Sequence, residues 1–253
     1  MKSKSIWLPP NHQQNYEPLN KHLKDEIVII GGSFTGLVTA LNLLKEGYSV
    51  SLLEAKTIGL AASRSAGVLA SSLERDFIDY IKTYGFETAK RLWSFSVIGV
   101  EAVKELASSL GVPTEDTGSL YVSYQEDADY IQQEGGERRK AGFECEYFEN
   151  LNNPLYEDGA TLGLITPGDS LIDPYQFCVA IATQAVTLGL KIYENSPVKS
   201  LDSKQGTCKT SIGSITADKV ILAGQSIPEQ FGFKTKNVQL LSFCLATEVL
   251  SNT

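Results

Sequence analysis

Residues 31–36 read Gly31-Gly32-Ser33-Phe34-Thr35-Gly36. They stand between a run of β-branched apolar residues and a helical pattern, where a chain that binds a dinucleotide turns from strand into helix. In such a turn the first glycine makes the tight bend, the middle one lets a pyrophosphate approach bare backbone, and the last lets helix and strand pack closely. Unpaired amides and the positive end of the helix dipole then hold the phosphates. Glu54 follows 23 positions after Gly31, at the end of the next strand, where a carboxylate accepts both ribose hydroxyls of an adenosine and argues against a 2′-phosphate. Ser33 departs from the pattern by replacing the middle glycine. Its Cβ and hydroxyl either crowd the pyrophosphate or add a hydrogen bond to it. A turn whose glycines serve packing only remains the alternative.

The elements that must position this turn are legible on either side of it. Glu26-Ile27-Val28-Ile29-Ile30 is a short run suited to a strand buried on both faces of a parallel sheet. Residues 34–46 carry Leu37, Ala40, Leu41 and Leu44 at helical spacing, and Gly47 supplies a stop. Residues 49–53 read as a second strand, which completes a βαβ unit. A loop of small residues, 59–72, leads to helices over 74–84 and 87–110, the latter with Leu92, Phe95, Ile98, Val103 and Leu106 near one face. Residues 118–124 suggest a strand, 126–140 an exposed charged helix weakened by Gly135-Gly136, and 142–170 short strand-like pieces. Asp173-Pro174 is a helix start, with Asp as N-cap and Pro at the first helical position. The helix that follows aligns Phe177, Ile181, Ala185 and Leu188, with Gly189 at its C-terminal cap. Strands are expected at 191–194, twice between Val198 and Ile215, at 219–224 and at 240–250.

Composition narrows the partners. The chain has 253 residues, 42% hydrophobic, with 22 basic against 30 acidic residues and a net charge of −8. Nucleic acid is disfavoured by that balance, and the one basic cluster, Arg138-Arg139-Lys140, reads as a solvated helix face. Cys145, Cys178, Cys208 and Cys244 form no CxxC pair, and the only histidines are His12 and His22. No metal site is expected, and the cysteines read as free structural thiols of a reducing compartment. Residues 1–24, rich in Pro, Asn, Gln and Lys, read as an extended arm and not a packed element, without the apolar core of a signal peptide, and no window approaches a membrane span. A cytoplasmic address is expected.

Residues 25–54, followed by Gly59-Leu60-Ala61-Ala62-Ser63-Arg64-Ser65-Ala66-Gly67-Val68-Leu69, resemble the amino-terminal region of the FAD-dependent D-amino acid oxidase superfamily. The likeness is strongest to its glycine oxidase, sarcosine oxidase and gamma-glutamylputrescine oxidoreductase branches. It implies that the turn from Gly31 to Gly36 and Glu54 hold FAD. Ala62, Ser63, Arg64, Ser65, Ala66 and Gly67 would wrap the flavin diphosphate and ring. Val198, in Ile192-Tyr193-Glu194-Asn195-Ser196-Pro197-Val198, would bracket the adenine through its backbone, with a sheet-core residue as the alternative. Ala223 and Gly224 would let the strand at 219–224 return beneath the dinucleotide.

The fold implied is α/β: an FAD/NAD(P)-binding Rossmann-like domain with a central parallel sheet and β-meander, interrupted by an α+β substrate domain. Residues 1–24 would be the arm, 25–112 and 171–227 the FAD-binding domain, and 113–170 with 228–253 a partial substrate domain. The likeness runs from about residue 6 to 253, whereas family members continue into further sheet strands and a glycine-rich segment. A truncated or split chain is therefore expected, with a second polypeptide as a candidate source of the remainder. The reaction implied is oxidation of the C–N bond of a small amine or amino acid by hydride transfer to flavin. No residue matches a family catalytic motif, so the catalytic residues stay unassigned. Tyr121 and Tyr124 read as surface or core packing residues. Two other readings stay open: a non-catalytic product of the same ancestry acting as an interaction module, and an NAD-dependent dehydrogenase, which the loop after Glu54 and the late return strand disfavour.

Overall fold

The computed structural model describes residues 5–124, 127–148, 160–224 and 231–232. The strand expected at 240–250, Cys244 and nearly all of 228–253 lie outside the described residues. In chain order the elements are β1 (His22–Ile30), α1 (Phe34–Lys45), β2 (Val50–Leu53), β3 (Val68–Leu69), α2 (Phe77–Tyr84), α3 (Phe86–Ser109), β4 (Thr114–Glu115) and β5 (Ser119–Tyr124). There follow α4 (Ala128–Ala141), β6 (Glu146–Phe148), β7 (Ala160–Thr166), β8 (Ser170–Ile172), α5 (Pro174–Thr187), β9 (Lys191–Tyr193), β10 (Ser200–Asp202), β11 (Thr207–Lys209) and β12 (Ser214–Leu222). They form two compact units, one of Met1–Ala66 with Asp173–Thr253 and one of Gly67–Ile172.

The first unit is built on a sheet of order β10-β11-β12-β1-β2-β9. Its strands β12, β1, β2 and β9 are parallel, and β10, β11 and β12 form an antiparallel meander. Strand β1 begins at His22, five residues before the first apolar residue of the run, Ile27, because its pairing with β12 uses backbone groups and leaves His22, Lys24 and Glu26 exposed at alternate positions. From Ile27 to Ile30 every side chain is buried. Val28 and Ile30 join a core with Leu53, Val198, Cys208, Ile215 and Ala217, while Ile29 faces Gly36 at the base of α1. Leu19 belongs to the same core at 1% exposure, so the amino-terminal arm, expected to be unpacked, is packed, because this one apolar side chain reaches the core from a polar segment. Helix α5 is capped as its sequence requires: Asp173 Oδ1 accepts from the N–H of Tyr175 at 2.9 Å and of Gln176 at 3.0 Å. Gly189 takes φ +103° at its end. Leu188, expected on the buried face, is exposed because it lies beyond the last turn.

The second unit combines α2, α3 and α4 with two three-stranded antiparallel sheets, β3-β8-β4 and β5-β7-β6. Residues 67–112, expected with the nucleotide-binding domain, pack here. The cause is an aromatic cluster in which Phe77 of α2 meets Phe86, Trp93 and Phe143 edge-on at 5.5–6.2 Å between centroids. Helix α3 buries Ala89, Trp93, Val100 and Ala107, not the face expected, and Leu92, Phe95 and Ile98 are exposed. Steps of three rotate about 60° backwards each time at about 100° per residue, so 92, 95 and 98 drift off the stripe that steps of four and seven hold.

Helix α4 corrects two expectations. It is not a solvated charged helix, because Ile131, Glu134, Gly135, Arg138 and Ala141 are buried. Gly135 is a packing glycine, since a Cβ there would lie 2.8 Å from the Tyr147 hydroxyl and 2.9 Å from Leu164 Cδ1. Arg138, expected in a solvated basic run, is 5% exposed. Its Nε donates to Glu134 Oε1 at 2.6 Å, and its guanidinium lies 4.5 Å over the Trp93 ring.

Candidate nucleotide-binding site at the first strand–helix turn

The turn between β1 and α1 is assembled from backbone that tolerates no side chain. Gly31 takes φ +114°, and a Cβ on it would lie 2.8 Å from the Ala223 carbonyl oxygen and 3.1 Å from the Gly224 nitrogen. The Gly31 N–H donates to Leu53 O at 2.9 Å, and the Ala223 N–H donates to Ile30 O at 2.8 Å. A Cβ on Gly36 would sit 1.9 Å from the Gly31 carbonyl oxygen, so the last glycine sets how closely the helix approaches the strand. The structure thus brings Gly31 and Gly36 together with Ala223 and Gly224 from the far end of the described sequence.

Gly32 faces Glu54. A Cβ on Gly32 would be 3.1 Å from a Glu54 carboxylate oxygen and 2.6 Å from Ile58 Cδ1. Glu54 Oε2 accepts from the Gly32 N–H and Oε1 from the Lys56 N–H, each at 2.8 Å. A carboxylate oxygen has about two acceptor sites, so each keeps one for a further donor such as a hydroxyl. Ser33 is the N-cap of α1 at φ −102°, which any residue adopts, and its side chain makes no capping bond. The first amides of α1 are thereby left without a side-chain acceptor, the arrangement that an anionic group occupies at a helix N-terminus. Phe34 packs against Phe177 of α5 at 5.8 Å between centroids, and Thr35 is exposed. Beneath the turn, Cys178 Sγ lies 3.8 Å from Gly32 O, and burial pushes its thiol up to about 12. The bare glycine backbone, the uncapped helix start and the free acceptor positions of Glu54 together fit a dinucleotide.

The small-residue loop is partly ordered by its own bonds. Ala62–Arg64 form one turn of 3-10 helix in which Ala62 and Ser63 are buried, and Ser63 donates through N–H to Gly59 O and through Oγ to Leu60 O. Arg64, Ser65 and Ala66 are exposed. Gly59, at φ +85°, lies against the Tyr175 ring of α5, where a Cβ would be 2.6 Å away. Gly67 falls in the second unit, where its carbonyl accepts from the Ile172 N–H at 2.9 Å. The Val198 side chain is in the sheet core at 7% exposure.

Two further residues carry no clear signal in the sequence. Glu194, just past β9, is fully buried. Its Oε2 accepts from the N–H groups of Asn15 at 2.7 Å and Tyr16 at 3.0 Å, and its Oε1 from the Ile58 N–H at 2.6 Å. Burial and the neighbouring Glu194 charge raise the Tyr16 phenol above its ordinary value. Ser196 Oγ accepts from Leu19 N–H at 2.9 Å, while the Ser196 N–H donates to Glu54 O at 2.8 Å. A carboxylate following Lys191-Ile192-Tyr193 is the only sign the sequence offers.

In the second unit a cavity of about 470 Å³ is lined by Glu74, Asp76, Ser119, Tyr121, Arg138 and Thr166 among others. Burial and the charges of Asp76, Asp127 and Glu134 push the Tyr121 phenol up, against the opposing effect of Arg138. Tyr121 and Tyr124 are both partly exposed. Among the described residues no cluster of three or more His, Cys, Asp or Glu can hold a metal ion, and no helix is long and apolar enough to cross a membrane.

Comparison with known proteins agrees with this architecture. The "Probable oxidoreductase OrdL" of Haemophilus influenzae is 27% identical over 256 residues, which cover 95% of this chain and 59% of that relative. The gamma-glutamylputrescine oxidoreductase of Escherichia coli is 28% identical over 223 residues, covering 85% of this chain and 52% of its own length. The crystal structure of glycine oxidase from Geobacillus kaustophilus shares the fold with a TM-score of 0.66 at 20% identity, over 83% of this chain and 58% of that one. The chain therefore spans little more than half the length of these relatives. Residues 26–235 match the family model described as FAD dependent oxidoreductase, and the chain belongs to that family, the D-amino acid oxidase (DAO) type of FAD-dependent oxidoreductase.

Proposed function

We propose that this chain holds FAD at the β1–α1 turn and serves the oxidation of the C–N bond of a small amine or amino acid. The observation that carries the reading is the joint assembly of Gly31, Gly32, Gly36, Glu54, Ala223 and Gly224 around an uncapped helix start. The amides at the head of α1 would receive the pyrophosphate, with the dipole of α1 behind them. Glu54 would accept the ribose hydroxyls with the lone pairs that Gly32 and Lys56 leave free. Ala62 to Gly67 would border the diphosphate and flavin, and Val198, its side chain committed to the core, would offer only backbone to the adenine.

FAD, when bound, supplies the hydride acceptor. The residues of this chain would bind and orient it, with the backbone from Gly31 to Gly36 receiving its phosphates. The relatives' names, gamma-glutamylputrescine oxidoreductase and glycine oxidase, support an amine or amino acid as the substrate class. Because the chain spans about half of such relatives, oxidation is assigned to the complete flavoenzyme, with any further part supplied by additional sequence or by a second polypeptide. A cytoplasmic address is supported by the three buried free thiols Cys145, Cys178 and Cys208.

The test is flavin retention. Flavin absorbance that survives desalting, or quenching of FAD fluorescence on titration with the purified chain, is the expected result, and Glu54→Gln should weaken binding about tenfold, the worth of one lost charge-assisted hydrogen bond. A colourless, folded preparation indifferent to added FAD overturns the reading. Anaerobic bleaching of the bound flavin by added amines or amino acids then identifies the substrate class.

A further inference from the structure

The carboxylate of Glu194 ties together two segments that border the candidate nucleotide site. Its donors come from the arm, through Asn15 and Tyr16, and from the loop after Glu54, through Ile58. Ile58 reaches the glycine turn, where its Cδ1 occupies the space beside Gly32. The backbone on either side of Glu194 repeats the connection: Glu54 N–H donates to Tyr193 O, Asn195 N–H to Lys56 O and Ser196 N–H to Glu54 O, at 2.7–2.9 Å. Ser196 Oγ meanwhile holds the arm at Leu19. His12 adds a last tie, its Nε2 lying 2.8 Å from Thr57 Oγ1 and its Nδ1 3.1 Å from the Tyr175 hydroxyl.

We propose that Glu194 is a positioning residue for the adenosine half of FAD, and that residues 5–19 are a strap whose docking is thermodynamically coupled to cofactor binding. This rests on the FAD reading above. The chemistry of the joint makes it specific to a carboxylate. Both oxygens of Glu194 face only N–H donors, so glutamine in its place must turn an NH₂ group toward either the arm or Ile58. Whichever way it turns, one side meets donor against donor, and the arm is uncoupled from the Glu54–Ile58 loop while the sheet core stays intact. Coupling of this kind is reciprocal: the factor by which strap release weakens FAD is the factor by which FAD tightens the strap.

The experiment compares the full chain with its Glu194→Gln variant by FAD titration, ADP titration, and limited proteolysis within residues 5–19 mapped by mass spectrometry. In the wild type, FAD should slow cleavage of the strap about tenfold. Glu194→Gln should weaken FAD and ADP alike by about tenfold and abolish that protection. If the variant does not fold, Ser196→Ala, which frees the arm only at Leu19, should show the same loss of protection with a smaller loss of affinity. Wild-type protein that binds FAD while the variant binds it within twofold as well, or a strap cleaved equally with and without FAD, overturns the inference. A weakening seen for FAD but absent for ADP does so too. Wild-type protein that binds no FAD overturns the FAD reading itself.

Discussion

Replacing Glu134 by alanine should destabilise the second unit by about 3–5 kcal/mol. The carboxylate is fully buried and accepts three charge-assisted bonds: from the N–H of Phe77 at 2.8 Å, of Ile78 at 2.9 Å, and from Arg138 Nε at 2.6 Å. The two amides open α2, whose N-cap residue Asp76 makes no side-chain cap, so Glu134 caps that helix from α4. Loss of a cap costs about 1 kcal/mol. The larger part comes from stranding the Arg138 guanidinium, whose side chain is 6% exposed, with only the Trp93 face at 4.5 Å and Thr166 Oγ1 at 3.4 Å to receive it. Urea unfolding reads the effect through Trp93 fluorescence, and a Trp7→Phe background removes the other of the two tryptophans. The double variant Glu134→Leu/Arg138→Met should recover more than half of the loss, because it removes the charge that the single change strands. A loss below about 1 kcal/mol for Glu134→Ala, the worth of a surface pair, would refute the reasoning.

Gly31→Ala and Gly47→Ala form a matched pair: both sites have positive φ, but a Cβ meets the Ala223 carbonyl at 2.8 Å at the first and nothing within 4 Å at the second. The first should cost upwards of about 2 kcal/mol and abolish FAD binding, the second about 1 kcal/mol with binding intact, by thermal melts and flavin titration. Burial pushes the Asp25 carboxyl up, but bonds from Ser49, Ser51, Lys191 and the Glu26 amide outweigh it and hold the folded value below the ordinary 3.8. Its contribution is complete above that ordinary value and is lost as pH falls through the lower folded one, so Asp25→Asn should flatten the acid limb of a stability profile taken from about pH 6 to about pH 2. Burial pushes Cys178 up to about 12 and Cys208 to about 11. Neither should be alkylated by iodoacetamide in native protein at neutral pH, and both should be labelled in urea; peptide mapping showing native labelling of either would contradict its placement.

The strand–helix turn after β1 is legible in the sequence because its signals are local. The β-branched run of β1, the glycines that follow and the cap at Asp173-Pro174 each declare their conformation within a few residues. Arg138 and Glu134 read as solvated because what buries them, the Phe77 and Ile78 amides and the Trp93 ring, lies more than forty residues away. Gly135 looks like a helix breaker in sequence, and only the Tyr147 hydroxyl and Leu164 show that it makes room for the sheet. The role of Glu194 is invisible in sequence for a similar reason: its partners are backbone N–H groups, which every residue but proline carries and no composition records. On α3 the bulk of Trp93, not the count of apolar residues, decides which stripe is inside.

The register between β1 and β12 bears on how the protein is made. Every pair from His22 with Ser214 to Ile30 with Leu222 joins residues 192 positions apart. Strand β1 therefore leaves the ribosome 192 residues before its partner β12 and waits for it. Until then one edge of β1 carries unpaired backbone beside Ile27, Val28, Ile29 and Ile30, a template for wrong pairing. Gly31, too, lacks the Ala223 carbonyl that defines its turn. Synthesis that stalls before residue 224 should therefore yield a chain with the glycine fingerprint in its sequence and an unfinished β1–α1 turn in its structure, prone to aggregate, and slow to fold even once residue 224 is made because its central contact closes so long a loop.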